Sequence, residues 1–235
     1  MALATGARVE LPEAAARHAA RALRLAVGDV VTLFNGEGGE FAARLERVDA
    51  RAVVARVETL RPVERESPLS VTLVQGLASG DRMDYAIQKA VELGAVAVQP
   101  VTTLRSVAHL DALRAQKRVA HWQQIAIAAC EQCGRNRVPA VRPLRELAAW
   151  LREPSDAALR LLFLPDAHAT LASLPTPEGA IECMVGPAGG LDAQEVDSAL
   201  RSAFVAVHLG PRVLRTETAG AAVLGALNAL WGDWR

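Results

Sequence analysis

The sequence predicts an α/β protein in which a small, mostly antiparallel β barrel or sheet precedes a larger domain with a mainly parallel sheet and helices on both of its faces. Strand-like runs separated by short turns fill residues 30–57, whereas strand-like and helical patterns alternate after residue 70. Between these two patterns, residues 60–68 form a charged stretch bounded by prolines, which indicates a linker. We therefore predict two domains, residues 1–66 and 67–235.

The first domain is predicted to contain one helix and three strands. An alanine- and arginine-rich pattern favours a helix over residues 12–25, closed by Gly28 and Asp29. The strands are predicted over residues 30–34, 41–48 and 52–57, with hairpin-like turns at 35–39 and 49–51. Turns this short join neighbouring antiparallel strands, which is why a barrel or sheet is expected.

The second domain is predicted to alternate strands with helices. Strands are expected over residues 70–77, 95–101, 159–164, 181–185 and 204–209. Helices are expected over residues 83–93, 110–133, 144–151, 193–203 and 216–231. This alternation is typical of a mainly parallel sheet.

The charge of the chain excludes one class of partner and leaves another open. Its 26 basic and 26 acidic side chains give a net charge of zero, which argues against an indiscriminate polybasic binder. Basic side chains are in excess over residues 1–150 and acidic ones over residues 151–235. All basic residues except Lys89 and Lys117 are arginines, whose planar fork suits phosphate groups and base edges. A genome-wide codon preference is the alternative explanation.

Membrane, secretory and metal-binding patterns are not found in the sequence. No apolar run approaches the roughly 20 residues that a spanning helix needs, and no secretory signal is recognisable, so we expect a cytosolic protein. Cys130 and Cys133 form one C-x-x-C, but a zinc site would need two more ligands at comparable spacing. We predict that these cysteines are buried or half-buried thiols on a helix, and we expect no metal.

Three segments carry candidate chemistry. Residues 186–190 form a glycine-rich turn between a strand and a helix, where backbone N–H groups can approach a ligand; a tight turn without a ligand is the alternative. Residues 209–219 occupy a second turn of this kind, where Thr216 is the expected helix N-cap. Loops at the carboxyl ends of parallel strands converge, so these two segments should meet. In the third segment, residues 131–137, a helix ends at Gly134 beside two arginines.

Together these segments are similar to the signature of the bacterial RNA methyltransferases of the SPOUT superfamily that methylate N3 of a uridine in 16S ribosomal RNA. That signature comprises G-P-E-G-G, L-G-x-R-[IV]-L-R-T-E-T-A and W-Q-x-I-A-x-x-A-x-E-Q-x-x-R, which correspond to residues 186–190, 209–219 and 122–135. A fourth motif, K-x-D-x-x-I-Q-K-x-x-E-L-G, is echoed at 82–94, and L-R-x-x-x-G-D stands at 23–29. The resemblance covers nearly the whole chain.

This resemblance implies a PUA-like RNA-binding β barrel followed by a SPOUT-type parallel sheet with a C-terminal trefoil knot. It implies S-adenosylmethionine as the cofactor, a homodimer, and 16S ribosomal RNA or the small ribosomal subunit as the partner, with uridine 1498 of the RNA as the family target. The implied cofactor-binding residues are Leu164, Pro165, Gly186, Pro187, Gly189, Gly190, Leu209, Gly210, Val213, Leu214, Thr216, Thr218 and Ala219.

Uracil N3 carries a proton, so the chemistry needs a proton acceptor and a group that stabilises the resulting anion. Arg135 and Arg215 are the candidates for stabilising the anion, and Glu217 or Glu131 for accepting the proton or positioning the base. The candidates for RNA binding are Arg21, Arg24, Arg105 and Arg137.

One departure from the family pattern keeps a second function open. Ala188 stands where the family usually has glutamate, so an RNA-binding protein of the same fold with weak or no turnover is the alternative. A redox protein using Cys130 and Cys133 is a more distant third possibility. The start of the chain also lacks the aromatic, arginine-rich opening common in the family.

Overall fold

The chain divides into two units in the computed structural model, which describes residues 3–49, 51–106 and 111–234. The first unit comprises Met1–Arg65 together with Gly134–Arg137, and the second comprises Glu66–Cys133 and Val138–Arg235. The short segment Gly134–Arg137 was not part of the predicted first domain. It is held there by polar contacts: Asn136 donates to the Val63 carbonyl at 2.7 Å, and Arg137 Nε donates to Glu64 Oε2 at 2.8 Å.

The first unit is built on a four-stranded antiparallel sheet. Its strands are β1 (Arg8–Glu10), β2 (Val30–Leu33), β3 (Glu40–Val48) and β4 (Val53–Arg61), in the order β1-β4-β3-β2. A short helix, α1 (Glu13–Arg17), continues as a π-helical turn (His18–Ala22) whose Ala19 packs into the same core as Leu45 and Ala55. The predicted helix over 12–25 therefore ends early, and β1 was missed because three residues show no periodicity.

Asp49 holds the turn between β3 and β4. Arg47 donates to one oxygen of its carboxylate, and the N–H groups of Arg51 and Ala52 donate to the other at 2.8 and 3.0 Å. These hydrogen bonds lower the pKa of Asp49 to about 2. Because the pKa is depressed, the carboxylate stabilises the turn above the pKa of an unfolded aspartate, about 4, and this contribution is lost as the pH falls through about 2. Ala50, within the predicted turn at 49–51, lies outside the described residues.

The second unit contains a parallel sheet in the order β10-β12-β9-β11-β5-β6-β7, with β8 also paired to β6. The strands are β5 (Val71–Gly76), β6 (Ala97–Thr102), β7 (Ala140–Val141), β8 (Arg145–Glu146), β9 (Leu159–Phe163), β10 (Ala169–Thr170), β11 (Ile181–Val185) and β12 (Phe204–His208). The helices are α2 (Asp81–Glu92), α3 (Ala112–Cys133), α4 (Leu147–Trp150), α5 (Ala193–Arg201) and α6 (Thr216–Leu230), with a 3₁₀ turn at Leu171–Ser173.

Helices cover both faces of this sheet, as the sequence predicted. On one face Val74 and Met184 belong to an apolar cluster with Trp150 of α4 and Ala199 of α5. On the opposite face α6 approaches β5 so closely that a Cβ at Gly220 would lie 3.2 Å from the Leu73 side chain. Strands β5 and β11 are buried along their whole length, as expected of parallel strands covered on both sides; most of β11 is apolar, whereas β5 also buries Thr72 and Gln75.

Two further sequence predictions differ from the observed elements, and a third falls partly outside the described residues. The helix predicted over 144–151 is wrong at its start, because Arg145 and Glu146 form β8 before α4 begins. Leu60 and Arg61 belong to β4, so the linker is shorter than predicted. Leu110, the predicted start of the long helix, lies outside the described residues. Pairing of two-residue strands such as β7 and β10 is decided by tertiary contacts, which local periodicity does not record.

The three cysteines are free thiols, and Cys130 and Cys133 have the predicted environment. Cys130 is buried and Cys133 is partly exposed, both on α3, and Cys183 is buried in β11, where desolvation raises its pKa well above the usual range. Among the described residues no helix is long and apolar enough to cross a membrane.

A nearly buried ion pair joins β9 to β11. Arg160 Nε lies 2.7 Å from Glu182 Oε2, and the two side chains are 10% and 12% exposed. Ser155 donates to the other Glu182 oxygen at 3.0 Å, and Arg160 also donates to the Ser202 carbonyl and lies over the Phe204 ring. The pair is thus hydrogen-bonded on both partners, as a desolvated ion pair requires.

Replacing Arg160 with leucine should destabilise the protein by about 3–5 kcal/mol, because it leaves the Glu182 carboxylate buried without its cation. Urea unfolding followed by circular dichroism measures this. Arg8→Leu is the matched control, since Arg8 is 64% exposed and pairs with Glu46 at the surface, where a loss of at most about 1 kcal/mol is expected. Equal losses in the two variants would contradict the prediction, and Arg160→Leu/Glu182→Leu should recover much of the lost stability.

Candidate active site

A cavity of about 640 Å³ lies at the carboxyl ends of β9, β11 and β12. These three strands are parallel neighbours in the order β12-β9-β11, so the loops that follow them leave the sheet side by side. The volume is within the range of roughly 300–1,000 Å³ that is typical of small-molecule sites. The position is the one where open parallel sheets bind ligands.

Twelve of the thirteen predicted cofactor-binding residues line this cavity. They are Leu164, Pro165, Gly186, Pro187, Gly189, Gly190, Leu209, Gly210, Val213, Leu214, Thr216 and Ala219. Thr218, the thirteenth, is exposed in the first turn of α6 and is not among the lining residues. Ala188 also lines the cavity.

The glycine turn, residues 186–190, lies directly on the end of β5. A Cβ at Gly76 would lie 2.4 Å from the Pro187 nitrogen and 2.7 Å from the Gly186 carbonyl carbon, so only glycine permits this approach. The turn closes on itself through the Gly190 N–H, which donates to the Pro187 carbonyl at 2.9 Å. Gly190 has a φ of +71°, in the left-handed region that favours glycine.

A loop after β6 supports the outer side of the glycine turn. Arg105 lies against Gly189, where a Cβ would be 3.3 Å from the Arg105 carbonyl oxygen, and its guanidinium pairs with Asp192 at 3.2 Å. The buried Glu195 accepts from the Leu104 N–H at 2.8 Å and from the Asp192 N–H at 2.9 Å. Glu195 therefore joins this loop to the start of α5. The sequence signal for this contact is the D-x-x-E capping box of Asp192 and Glu195, a site feature that was not predicted.

The second loop, residues 209–215, is tied back to its strand and to the glycine turn. The Gly210 N–H donates to His208 Nδ1 at 3.0 Å. The sequence predicted Thr216 as the N-cap of α6, but Arg215 holds that position. The Thr216 hydroxyl donates instead to the Gly186 carbonyl at 2.6 Å. Tertiary contact with the glycine turn replaces the local cap.

Four charged residues line the cavity, namely Arg82, Arg212, Arg215 and Glu217. The Glu217 side chain is 12% exposed, and its Oε1 lies 3.9 Å from Arg82 Nε in a loose ion pair. Its Oε2 is buried and has no hydrogen-bond partner among the described residues. Arg82 was not predicted as a site residue, although it opens the motif at 82–94.

The other predicted site residues lie elsewhere. Glu131 is exposed near the end of α3, and Arg135 is buried in the first unit; neither is among the residues that line the cavity. Of the residues predicted to bind RNA, Arg21 and Arg24 are exposed beyond α1. Arg105 and Arg137 are exposed but already paired with Asp192 and Glu64.

Two domain families match the chain. An RNA methyltransferase domain matches residues 65–228, and an RNA methyltransferase PUA domain matches residues 11–58. Ribosomal RNA small subunit methyltransferase E of Bacillus subtilis is 32% identical over 220 residues, which cover 90% of this chain and 86% of that protein.

Solved structures agree with these matches. Ribosomal RNA small subunit methyltransferase E from Neisseria gonorrhoeae, solved bound to S-adenosylmethionine, is 42% identical with a TM-score of 0.93, covering 100% of this chain and 97% of that chain. A protein of Legionella pneumophila, solved in complex with the same cofactor, is 36% identical with a TM-score of 0.95, covering 99% and 96%. The α/β class and the PUA-like first domain are confirmed, and the trefoil knot stays a prediction. The chain belongs to the ribosomal RNA small subunit methyltransferase E family.

Proposed function

We propose that this chain transfers the methyl group of S-adenosylmethionine to N3 of a uridine in 16S ribosomal RNA, and that uridine 1498 is the target. The observation that carries the proposal is the cavity at the ends of β9, β11 and β12, which the family's glycine and arginine motifs build together. Family membership and likeness to two structures with bound S-adenosylmethionine support the cofactor.

The lining of the cavity fits this cofactor. Backbone groups of the glycine turn and the second loop are exposed to the cavity because glycines leave them uncovered, and these groups would read the polar edge of an adenine. Leu164, Leu209 and Leu214 supply apolar surface for the ring. When bound, S-adenosylmethionine supplies an electrophilic methyl group on a sulfonium.

Glu217 and Arg215 are the pair that would act on the uracil. The N3 proton must leave before the nitrogen can bond to carbon, and the Glu217 carboxylate has one buried oxygen without a described partner that would accept it. Loss of this proton leaves negative charge on the uracil ring and its oxygens, which the guanidinium of Arg215 would stabilise from the same cavity.

We also propose that the protein acts as a homodimer. Glu131 and Arg135 do not line the cavity of their own chain, so their predicted roles require a second copy to bring them there. Exposed apolar side chains near the end of α6 favour such an association: Leu230 is 38% and Trp234 is 57% exposed.

In the first unit, Arg21 and Arg24 are the leading RNA contacts, since both are exposed guanidinium groups. Arg105 and Arg137 would first have to break their ion pairs with Asp192 and Glu64 before they could bind an RNA phosphate. The proposed partner is therefore a structured RNA bound by a few placed arginines.

Ribosomal RNA from cells that lack the gene tests the proposed function. Nuclease digestion and mass spectrometry should show that the N3-methylated uridine of 16S RNA is absent, and that the purified protein with S-adenosylmethionine restores it. Persistence of the methylated uridine in these cells would overturn the assignment.

Glu217→Gln and Arg215→Gln should each lower kcat by about 10²–10⁴-fold, because one removes the proton acceptor and the other the stabilising charge. Single-turnover methylation of 16S RNA measures the chemical step. The control variants are Glu178→Gln and Arg152→Gln, which change the same residue types at exposed positions that do not line the cavity. Turnover at the wild-type rate in a correctly folded Glu217→Gln variant would exclude Glu217 as the acceptor.

Ala188→Glu should change the rate by less than about tenfold, equivalent to about 1.4 kcal/mol in the barrier. The shape of the glycine turn depends on backbone contacts at Pro187 and Gly190 rather than on the side chain at 188. Methyl transfer by the natural protein and the variant, measured side by side, decides the point. A much larger gain would mean that the missing carboxylate takes part in the reaction, and would favour the alternative of an RNA-binding protein with weak turnover.

A further inference from the structure

Gln75 is a completely buried polar residue near the end of β5, and it does not line the cavity. Its Nε2 donates to the Gly76 carbonyl at 3.0 Å and to the Thr216 hydroxyl at 2.8 Å. A polar side chain in a parallel sheet covered on both faces is costly to bury and persists only with specific partners. The identity of those partners therefore indicates what Gln75 does.

The two hydrogen bonds of the Thr216 hydroxyl determine which atom donates and which accepts in the contact with Gln75. The single hydroxyl hydrogen is donated to the Gly186 carbonyl at 2.6 Å, so the hydroxyl oxygen accepts from the Gln75 amide. The result is a chain of hydrogen bonds from the end of β5, through the first residue of α6, to the first residue of the glycine turn. It connects two of the loops that line the cavity, those after β11 and β12, to the end of β5.

Two glycines, Gly76 and Gly220, allow close packing of β5 against the glycine turn and of α6 against Gln75. Gly76 lets the backbone of the glycine turn rest on the end of β5, where a Cβ would lie 2.4 Å from the Pro187 nitrogen. Gly220 leaves room for the Gln75 amide, since a Cβ there would lie 3.1 Å from Gln75 Oε1. That oxygen has no hydrogen-bond partner among the described residues, so the amide is oriented by its NH₂ group alone.

We propose that Gln75 is a positioning residue: through Thr216 it fixes the glycine turn in the conformation that binds S-adenosylmethionine. The inference rests on the proposed function and deepens it. Without the amide, Thr216 loses its hydrogen-bond donor and the glycine turn loses this hydrogen-bonded connection to β5, so more of the ordering of the turn has to take place when the cofactor binds. That cost appears in cofactor affinity rather than in the chemical step.

Gln99 provides a matched control on the neighbouring strand β6. It is 4% exposed. Like Gln75, it donates through Nε2 to the carbonyl of the next residue, here Pro100, and to a residue distant in sequence, here the Pro143 carbonyl; both distances are 2.9 Å. Gln99 and its partners do not line the cavity. Replacing either glutamine with methionine removes two hydrogen bonds of its amide, and of the two residues only Gln75 is connected to the glycine turn.

Isothermal titration with S-adenosylmethionine, combined with thermal melting, tests the inference on the full-length protein. Gln75→Met should weaken cofactor binding about tenfold and raise the KM for the cofactor equally, with kcat at saturation close to wild type. Gln99→Met should lower the melting temperature comparably and leave cofactor affinity unchanged. Equal affinities in Gln75→Met and the wild type, or equal losses in the two methionine variants, would overturn the inference.

A second variant, Gly220→Ala, tests the same inference if Gln75→Met does not fold. Gly220→Ala presses on the Gln75 amide while favouring the α6 helix, so it should fold and bind the cofactor more weakly. Unchanged affinity in that variant would overturn the inference. The outcome also separates the two proposals: a wild-type protein that binds no S-adenosylmethionine refutes the proposed function together with this inference, whereas tight binding by both wild type and variants refutes the inference alone.

Discussion

The parallel pairing of β9, β11 and β12 is the constraint on which the site depends. Their register aligns Phe163 with Val185 and with Val207, so all three strands end at the same level of the sheet. Three loops far apart in the sequence therefore leave the sheet together and enclose one cavity. Helices packed on both faces of the sheet stabilise this arrangement, because they bury its apolar side chains.

Buried polar side chains connect the elements around the cavity. Gln75, Thr216 and Glu195 are all buried: Gln75 donates to Thr216, Thr216 donates to the Gly186 carbonyl, and Glu195 accepts from the backbone of Leu104 and Asp192. Apolar side chains at these positions would fill the same space but would leave the loop backbone groups without partners. Directional hydrogen bonds instead select one loop conformation among several that are similarly packed. The rigid sheet thus determines the shape of the cavity through a few polar side chains.

The sequence predicted the five longer strands and most of the helices of the second unit, because their apolar patterns are long and buried. The strand at Ile181–Val185 was predicted at its observed bounds. Two kinds of feature could not be predicted. Two-residue strands and the contact of Thr216 with Gly186 depend on segments distant in sequence, and local propensity favoured a helix and an N-cap instead. The return of residues 134–137 to the first unit likewise follows from contacts with Val63 and Glu64 that no local pattern encodes.

Ion pairs within the first unit reduce the number of arginines that are available to bind phosphate. In the first unit most of the arginines on the sheet are paired: Arg8 and Arg56 share Glu46, and Arg44 binds Glu58. An arginine held by a carboxylate has to break that pair before it can contact a phosphate, which reduces the free energy gained from the new contact. Some of the opposite charges that cancel in the net charge are thus also paired in the fold. Arg21 and Arg24, which are exposed and form no ion pair among the described residues, therefore stay the proposed RNA contacts of the first unit.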